Sequence, residues 1–151
     1  MPRPSSHRAD IPPFYVMEVM RAAEEREQAG GNVLHLEVGQ PSTGAPEGVV
    51  HAAERALRSG SALGYTNALG TPELRAAIAA HYADWYDKTV DPARVTVTTG
   101  ASASCVLAFL ACFDVGDRVA VSSPGYPCYK NILSSFGVEV VDVPVDASTR
   151  F

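Results

Sequence analysis

Hydrophobic and polar positions along the chain follow two periods, one typical of amphipathic helices and one typical of short strands. Helical spacing predicts a helix over Phe14–Ala29, a second from about Pro46 to Ser59, and a third that begins at Thr71, with Thr71 as its cap and a proline in its first turn. A short apolar run predicts a strand over Val33–Val38. Glycine and proline then predict a loop over Gly39–Pro46.

From Val95 onward, the pattern alternates between strand and helix. In chain order it predicts the strand Val95–Thr98, the helix Ala103–Phe113, the strand Arg118–Ser122, the helix Pro127–Phe136 and the strand Val138–Val143. This order implies right-handed crossovers and a parallel sheet, and so an α/β fold. The first of these helices is apolar nearly all round, and the chain ends soon after its last strand. Because a parallel sheet needs both faces and its edges covered, we expect the sheet to be incomplete in this chain.

Composition and charge narrow the class of protein. The net charge is −5 and the pI is near 5.3, which argues against nucleic acid or an anionic membrane as the main partner. The longest apolar run, Cys105–Phe113, is too short to span a bilayer. The first 13 residues lack the apolar segment of a signal peptide. We therefore expect a cytoplasmic protein.

The cysteines and histidines do not form a metal-binding motif. Cys105, Cys112 and Cys128 lack metal-ligand spacing, and the four histidines are scattered. Because free cysteine behaves as a small hydrophobic residue, we expect three buried thiols and no metal site.

The segment Val95–Cys105, VTVTTGASASC, joins a predicted strand to a predicted helix through Gly100. The free N–H groups and the dipole of a helix N-terminus favour an anion, usually phosphate. Gly100 allows the chain to turn and lets a ligand come close to the backbone. The N–H groups of Ala101 and Ser102 are the expected donors to the anion. The Ser102 hydroxyl can add another hydrogen bond. The segment is neither GxGxxG nor GxxxxGK[ST]. On this segment alone, a phosphate cradle and a plain turn with a serine cap stay equally open.

Four segments together resemble the N-terminal part of a pyridoxal-phosphate (PLP) aminotransferase of fold type I, from the class I/II family. They are LEVGQPSTGAP (Leu36–Pro46), GYTNALGTPELRAAIAAHY (Gly64–Tyr82), VTVTTGASAS (Val95–Ser104) and DVGDRVAVSSPGYPCY (Asp114–Tyr129). They occur in the family's order and at about its spacing. The resemblance implies a three-layer α/β/α PLP-binding domain with a mostly parallel sheet. Residues 1–45 would give an arm, a helix and a strand to the small domain, and residues 46–151 the first, truncated part of the large domain.

The resemblance implies a cofactor site. Gly100, Ala101 and Ser102 match the residues that cradle the phosphate of PLP, where the family pattern agrees with the anion argument above. Tyr126 matches the aromatic residue that stacks on the pyridine ring. Tyr65 matches a tyrosine that reaches the cofactor phosphate of the other subunit, which implies a homodimer.

The resemblance also assigns roles outside the cofactor site. Gly39 would offer its backbone N–H to the substrate α-carboxylate. Gly70 and Arg75 match a G-x-x-x-L-R pattern, for which we expect structural roles, a turn and an ion pair. Ile11–Phe14 resembles a segment that closes over the substrate in some members.

The lysine that PLP chemistry requires is not evident in the chain. The family uses a lysine that forms a Schiff base with the cofactor, and a carboxylate on the pyridine nitrogen. Lys88 and Lys130 are the only lysines; neither stands in the family's Ser-x-x-Lys setting, and both are expected to be solvated. The resemblance places the Schiff-base lysine after Phe151. No catalytic residue is therefore assigned here, and the chain alone is expected to be inactive.

The function implied by the resemblance is transfer of an amino group from an amino acid to a 2-oxo acid by the complete enzyme. Another fold-type I PLP reaction, by a β-lyase, a decarboxylase or a synthase, stays open. So do a truncated, non-catalytic gene product and an effector-sensing domain, although in this sequence only a short arm precedes Phe14. The sequence does not identify the amino donor.

Overall fold

The computed structural model describes Ser6, Arg8 and residues 11–61 and 63–151, so most of the arm predicted over residues 1–13 lies outside the described residues. The regular elements are α1 (Tyr15–Gln28), α2 (Glu47–Arg58), α3 (Pro72–Tyr86), a 3-10 turn (Pro92–Arg94), α4 (Ala101–Cys112), β1 (Arg118–Ser123), α5 (Pro127–Ser135) and β2 (Glu139–Pro144). The chain divides into two compact units. One is Gly39–Thr98, and the other joins Met1–Val38 to Thr99–Phe151.

The strand–helix–strand unit at the end of the chain is as predicted. Strands β1 and β2 pair in parallel, with Arg118 opposite Glu139 at one end of the register. The same two side chains form an exposed ion pair, with Arg118 Nε 2.9 Å from Glu139 Oε1. Helix α5 crosses between the strands, and its Leu133 is fully buried. Leu133 and Val138 therefore form the apolar centre of this unit, because both side chains are almost completely removed from water.

The start of α3 shows how the local sequence sets a helix boundary. Thr71 has an extended backbone, and its Oγ1 accepts a hydrogen bond from the N–H of Leu74 at 3.3 Å. Pro72 occupies the first helical position, where a missing N–H costs nothing. The predicted cap is therefore confirmed.

Two predicted strands are wrong. Among the described residues, Val33–Val38 has no neighbouring strand, and Leu34 and Leu36 are 85% and 92% exposed. Val95–Thr98 bonds to loops instead, with the N–H of Val97 donating to the carbonyl of Leu69 at 3.0 Å. The β-branched pattern favours an extended backbone, but a strand also needs a partner in register, which the pattern cannot supply.

Arg75 has a structural role, but the expected ion pair is absent from the described part of the chain. Its Nε donates to the carbonyl oxygens of Pro92 and Val95, at 3.0 Å each. The guanidinium group thus binds the carbonyl groups of the first residue of the 3-10 turn and of the residue that follows it, instead of a carboxylate. The turn expected at Gly70 is confirmed, with φ at +97° and its N–H bonded to the carbonyl of Asn67.

The prediction of three buried thiols is also wrong. Cys105 and Cys128 are half-buried, and Cys112 is exposed. Helix α4 leaves Leu107 and Leu110 more than half exposed as well, because the described residues cover only part of its apolar surface. None of the helices formed by the described residues is long and apolar enough to cross a membrane.

The two lysines have different surroundings. Lys88 is exposed, as predicted. Lys130 on α5 forms an ion pair with Asp142 on β2 and is 34% exposed, so it is not simply solvated. This pair links the crossover helix to the strand that follows it.

His35 connects the segment after α1 back to that helix. Its Nδ1 lies 2.7 Å from Glu37 Oε1, and its Nε2 lies 3.1 Å from Glu27 Oε1. Because ionised carboxylates only accept hydrogen bonds, both contacts are satisfied together only by the doubly protonated ring. The hydrogen bonds to Glu37 and then Glu27 raise the pKa of His35 above its ordinary 6.5. The hydrogen bond from His35 lowers the pKa of Glu37 below its ordinary 4.5.

We predict that Gly70→Ala destabilises the protein more than Gly30→Ala. Both glycines have a strongly positive φ, which costs an alanine about 1–2 kcal/mol. A Cβ on Gly70 would also lie 2.7 Å from Val97 Cγ2, and such overlap costs about 1–3 kcal/mol, whereas a Cβ on Gly30 meets nothing within 4 Å. Denaturant unfolding measures the difference. Equal losses, or no rescue of Gly70→Ala by Val97→Ala, would contradict the close contact.

We predict that the stability lost in His35→Ala depends on pH. A raised folded-state pKa means that the His35 contribution is complete below the ordinary 6.5 and disappears as the pH rises through the higher folded value. Because the pKa of Glu37 is lowered, the contribution of Glu37 to stability is lost only when the pH falls through a value below 4.5. The unfolding free energies of wild type and variant should therefore converge on the alkaline side. A constant difference from about pH 5 to about pH 8 would sink this account.

Candidate functional site

Gly100 forms the start of α4 and gives the backbone a conformation that few other residues adopt. Its φ is +85° and its ψ 167°. A Cβ built on Gly100 would meet no atom within 4 Å, so the space beside this backbone is open. Helix α4 begins at Ala101, two residues earlier than predicted. The N–H groups of Ala101 and Ser102 therefore belong to the first helical turn, where N–H groups have no acceptor inside the helix.

Ser102 contacts a residue that the sequence did not single out. Its Oγ lies 3.3 Å from Cys128 Sγ, and either atom can be the donor. Cys128 lies in the first turn of α5, so this contact brings the first turns of α4 and α5 together. The one sequence signal was the position of Cys128 inside the SPGYPCY segment, two residues after Tyr126.

Tyr126 precedes α5 as its cap residue and is 49% exposed. Two aromatic rings pack nearly perpendicular to it: Phe14, with ring centroids 6.3 Å apart, and Tyr129, at 5.3 Å. A Cβ on Gly125 would lie 2.4 Å from the carbonyl oxygen of Ser122, so the turn between β1 and α5 requires glycine at this position. The tight turn and the two rings thus restrict the positions open to the Tyr126 ring.

The unit that contains Thr99–Phe151 therefore brings four of the predicted site residues together at neighbouring helix starts. Gly100, Ala101 and Ser102 provide a helix N-terminus that favours an anion, with open space beside it. Tyr126 provides a partly exposed aromatic ring, two residues from the thiol that touches Ser102. The helix N-terminus suits a phosphate group and the aromatic ring suits a flat ring, so together these residues fit a flat ring that carries a phosphate. The residues that the structure describes hold no cluster of metal-ligating side chains.

Gly39 and Tyr65, the two other predicted site residues, belong to the unit Gly39–Thr98. A Cβ on Gly39 would meet no atom within 4 Å. The ring of Tyr65 is fully exposed. Both positions can therefore be reached by a ligand or by another chain, and their roles stay predictions.

Comparison with known proteins gives consistent matches. The sequence model of the family "Aminotransferase class I and II" matches residues 31–151. A valine–pyruvate aminotransferase from Mycobacterium tuberculosis is 58% identical over 144 residues, which are 95% of this chain and 37% of the relative. An aspartate aminotransferase from Thermotoga maritima is 37% identical over 136 residues, or 89% of this chain and 36% of the relative. The chain thus spans little more than a third of these relatives.

Solved structures agree with the sequence matches. The crystal structure of an aminotransferase from Mycobacterium tuberculosis superposes with a TM-score of 0.92 and 55% identity, and covers 99% of this chain and 38% of that one. Aspartate aminotransferase from Thermus thermophilus with maleate superposes with a TM-score of 0.91 and 32% identity, over 98% of this chain and 39% of that one. The predicted fold class is confirmed.

Proposed function

The chain belongs to the class I and II aminotransferases, and from this premise we propose that the protein moves an amino group from an amino acid to a 2-oxo acid with PLP as its cofactor. Members of this family depend on PLP. The observation that supports this function best is the glycine-led start of α4, joined to the first turn of α5 beside Tyr126.

The residues at the two helix starts would hold the cofactor at its phosphate and at its ring. The N–H groups of Ala101 and Ser102 and the Ser102 hydroxyl would donate to phosphate oxygens, and the α4 dipole favours their negative charge. Tyr126 would stack on the ring and fix its orientation, since Phe14 and Tyr129 hold the tyrosine edge-on. When bound, PLP supplies an electron sink for the negative charge that forms on the substrate carbon.

The substrate and partner contacts are proposed from the other unit. The N–H of Gly39 would bind the substrate α-carboxylate, and the hydroxyl of Tyr65 would bind the cofactor phosphate of a second subunit in a homodimer. Their accessibility supports this assignment. Neither Lys88, which is exposed, nor Lys130, which pairs with Asp142, is proposed to anchor the cofactor. No catalytic base is assigned to this chain.

The first experiment is an assay of the protein made from its natural gene, loaded with PLP. Valine with pyruvate is the first pair to test, because it appears in the name of a relative that is 58% identical. A panel of other amino acids with 2-oxoglutarate follows, and mass spectrometry identifies the products. The proposal requires a new amino acid that forms only when both substrates are present. Ammonia or carbon dioxide released from the amino acid alone would overturn it in favour of a lyase or a decarboxylase.

We predict that Gly100→Ala weakens PLP binding and that Gly116→Ala does not. Both glycines have a positive φ, +85° and +92°, and open space where a Cβ would stand. Alanine should therefore strain the backbone by about 1–3 kcal/mol at both positions. Only at Gly100 does the strain move the first N–H groups of α4. A PLP titration with each variant tests this, and equal affinities for PLP would contradict the assigned phosphate site.

We predict that Tyr65→Phe weakens PLP retention more than Ser102→Ala does. A lost hydrogen bond to a charged group costs about 1.5–3 kcal/mol, so Tyr65→Phe should raise the dissociation constant by about tenfold or more. Ser102→Ala leaves the backbone N–H groups of the cradle in place and should cost less. Tyr86→Phe, on an exposed ring of the same unit, is the control. Unchanged PLP affinity in both test variants would count against both assignments.

A further inference from the structure

The contact between Ser102 and Cys128 joins two helix starts that lie 26 residues apart in the sequence. Both residues belong to the same compact unit. The oxygen–sulfur distance of 3.3 Å suits a hydrogen bond in which a thiol takes part. Ser102 is exposed and Cys128 is half-buried, so Ser102 is the more accessible residue of the pair.

We propose that Cys128 is a positioning residue for the phosphate group of the cofactor. Its S–H donates to Ser102 Oγ and directs the Ser102 O–H outward, to the place where the phosphate binds. This role rests on the proposed function, because it requires an anion at the start of α4.

The direction of the bond follows from the chemistry of the three groups. A hydroxyl has one hydrogen to donate and an oxygen that can accept, whereas ionised phosphate oxygens only accept. Ser102 can therefore serve the phosphate only as a donor. Its oxygen is then left to accept, and the thiol of Cys128 is the group that faces it at 3.3 Å. In the reverse arrangement, Ser102 would donate to sulfur and turn its lone pairs toward the anion, which is repulsive.

The thiol also prepares the site before the cofactor arrives. A serine side chain can occupy three staggered rotamers, and a fixed partner selects one of them. Affinity gains when the bound conformation exists in advance, because less conformational freedom is lost on binding. Cys128 is suited to this task because α5 begins at Pro127, directly before it, after a turn that requires Gly125.

Binding measurements on variants of the natural protein test the proposal. Equilibrium dialysis gives dissociation constants for PLP and for pyridoxal, which lacks the phosphate group. We expect Cys128→Ala to raise the dissociation constant for PLP about fivefold, which is the effect of losing one neutral hydrogen bond. The dissociation constant for pyridoxal should stay unchanged. Cys128→Ser should restore PLP binding, because a hydroxyl can donate in place of the thiol. In a Ser102→Ala background, Cys128→Ala should have no further effect, since its partner is already gone.

The outcomes distinguish a failure of the role proposed for Cys128 from a failure of the proposed function. If Ser102→Ala weakens PLP binding but Cys128→Ala leaves it unchanged, the role of Cys128 is overturned. The proposed function then still stands. Equal losses for PLP and pyridoxal, or no restoration by Cys128→Ser, also overturn that role, because they indicate a general packing defect. A wild-type protein that binds no PLP overturns the proposed function and, with it, the role of Cys128.

Thiol protection in the wild-type protein supplies a measurement that needs no variant. Iodoacetamide labelling followed by peptide mass spectrometry reports the reaction rate of each cysteine. We expect PLP to slow the labelling of Cys128 strongly and pyridoxal to slow it much less. Cys112, at the far end of α4, is the internal control whose rate should not change. Labelling of Cys128 at the same rate with and without PLP overturns the proposal.

Discussion

The backbone conformation of Gly100 is the constraint on which the candidate site depends. With φ at +85°, the chain enters α4 along a path that is strained for residues with a Cβ. The space where a Cβ of Gly100 would stand is open, and the first turn that follows has N–H groups with no acceptor inside the helix. The anion-binding role proposed for this end would thus rest on the backbone. The side chain of Ser102 adds a donor to it.

A second constraint lies at the end of β1, where the chain turns into α5. Gly125 approaches the Ser122 carbonyl so closely that no Cβ fits, and this turn delivers Tyr126 and Cys128 to the start of α5. Because β1 is fixed by its parallel pairing with β2 and by the buried Leu133 of α5, the turn rests on the best-packed part of the described chain. The candidate site therefore combines the end of a paired strand with a helix N-terminus. That combination allows hydroxyl, thiol and aromatic groups to keep fixed positions.

Sequence reasoning succeeded where the deciding physics is local. The cap at Thr71 and the order of α4, β1, α5 and β2 follow from propensities and periodicity within a few residues, whereas the turn at Gly70 was expected from the family pattern. It failed where an outcome needed a distant partner. Val95–Thr98 has strand-forming residues but bonds to the Leu69 loop, and Arg75 binds two carbonyl groups where an ion pair was expected. The thiols were predicted to be buried because cysteine is apolar, yet coverage of α4 depends on what packs against it.

By itself, the sequence determined the α/β class, the parallel strand–helix–strand unit and the glycine-led helix start, because each is encoded in residues close together along the chain. Its four motifs also pointed to the family to which the chain belongs. Only the tertiary structure decided that Cys128 lies against Ser102 and that Phe14 packs edge-on against Tyr126. The physical reason is that these contacts join residues that are far apart in the sequence. A hydrogen bond or a ring contact forms only when folding brings two groups within a few ångströms, and the spacing of residues along the chain does not contain that distance.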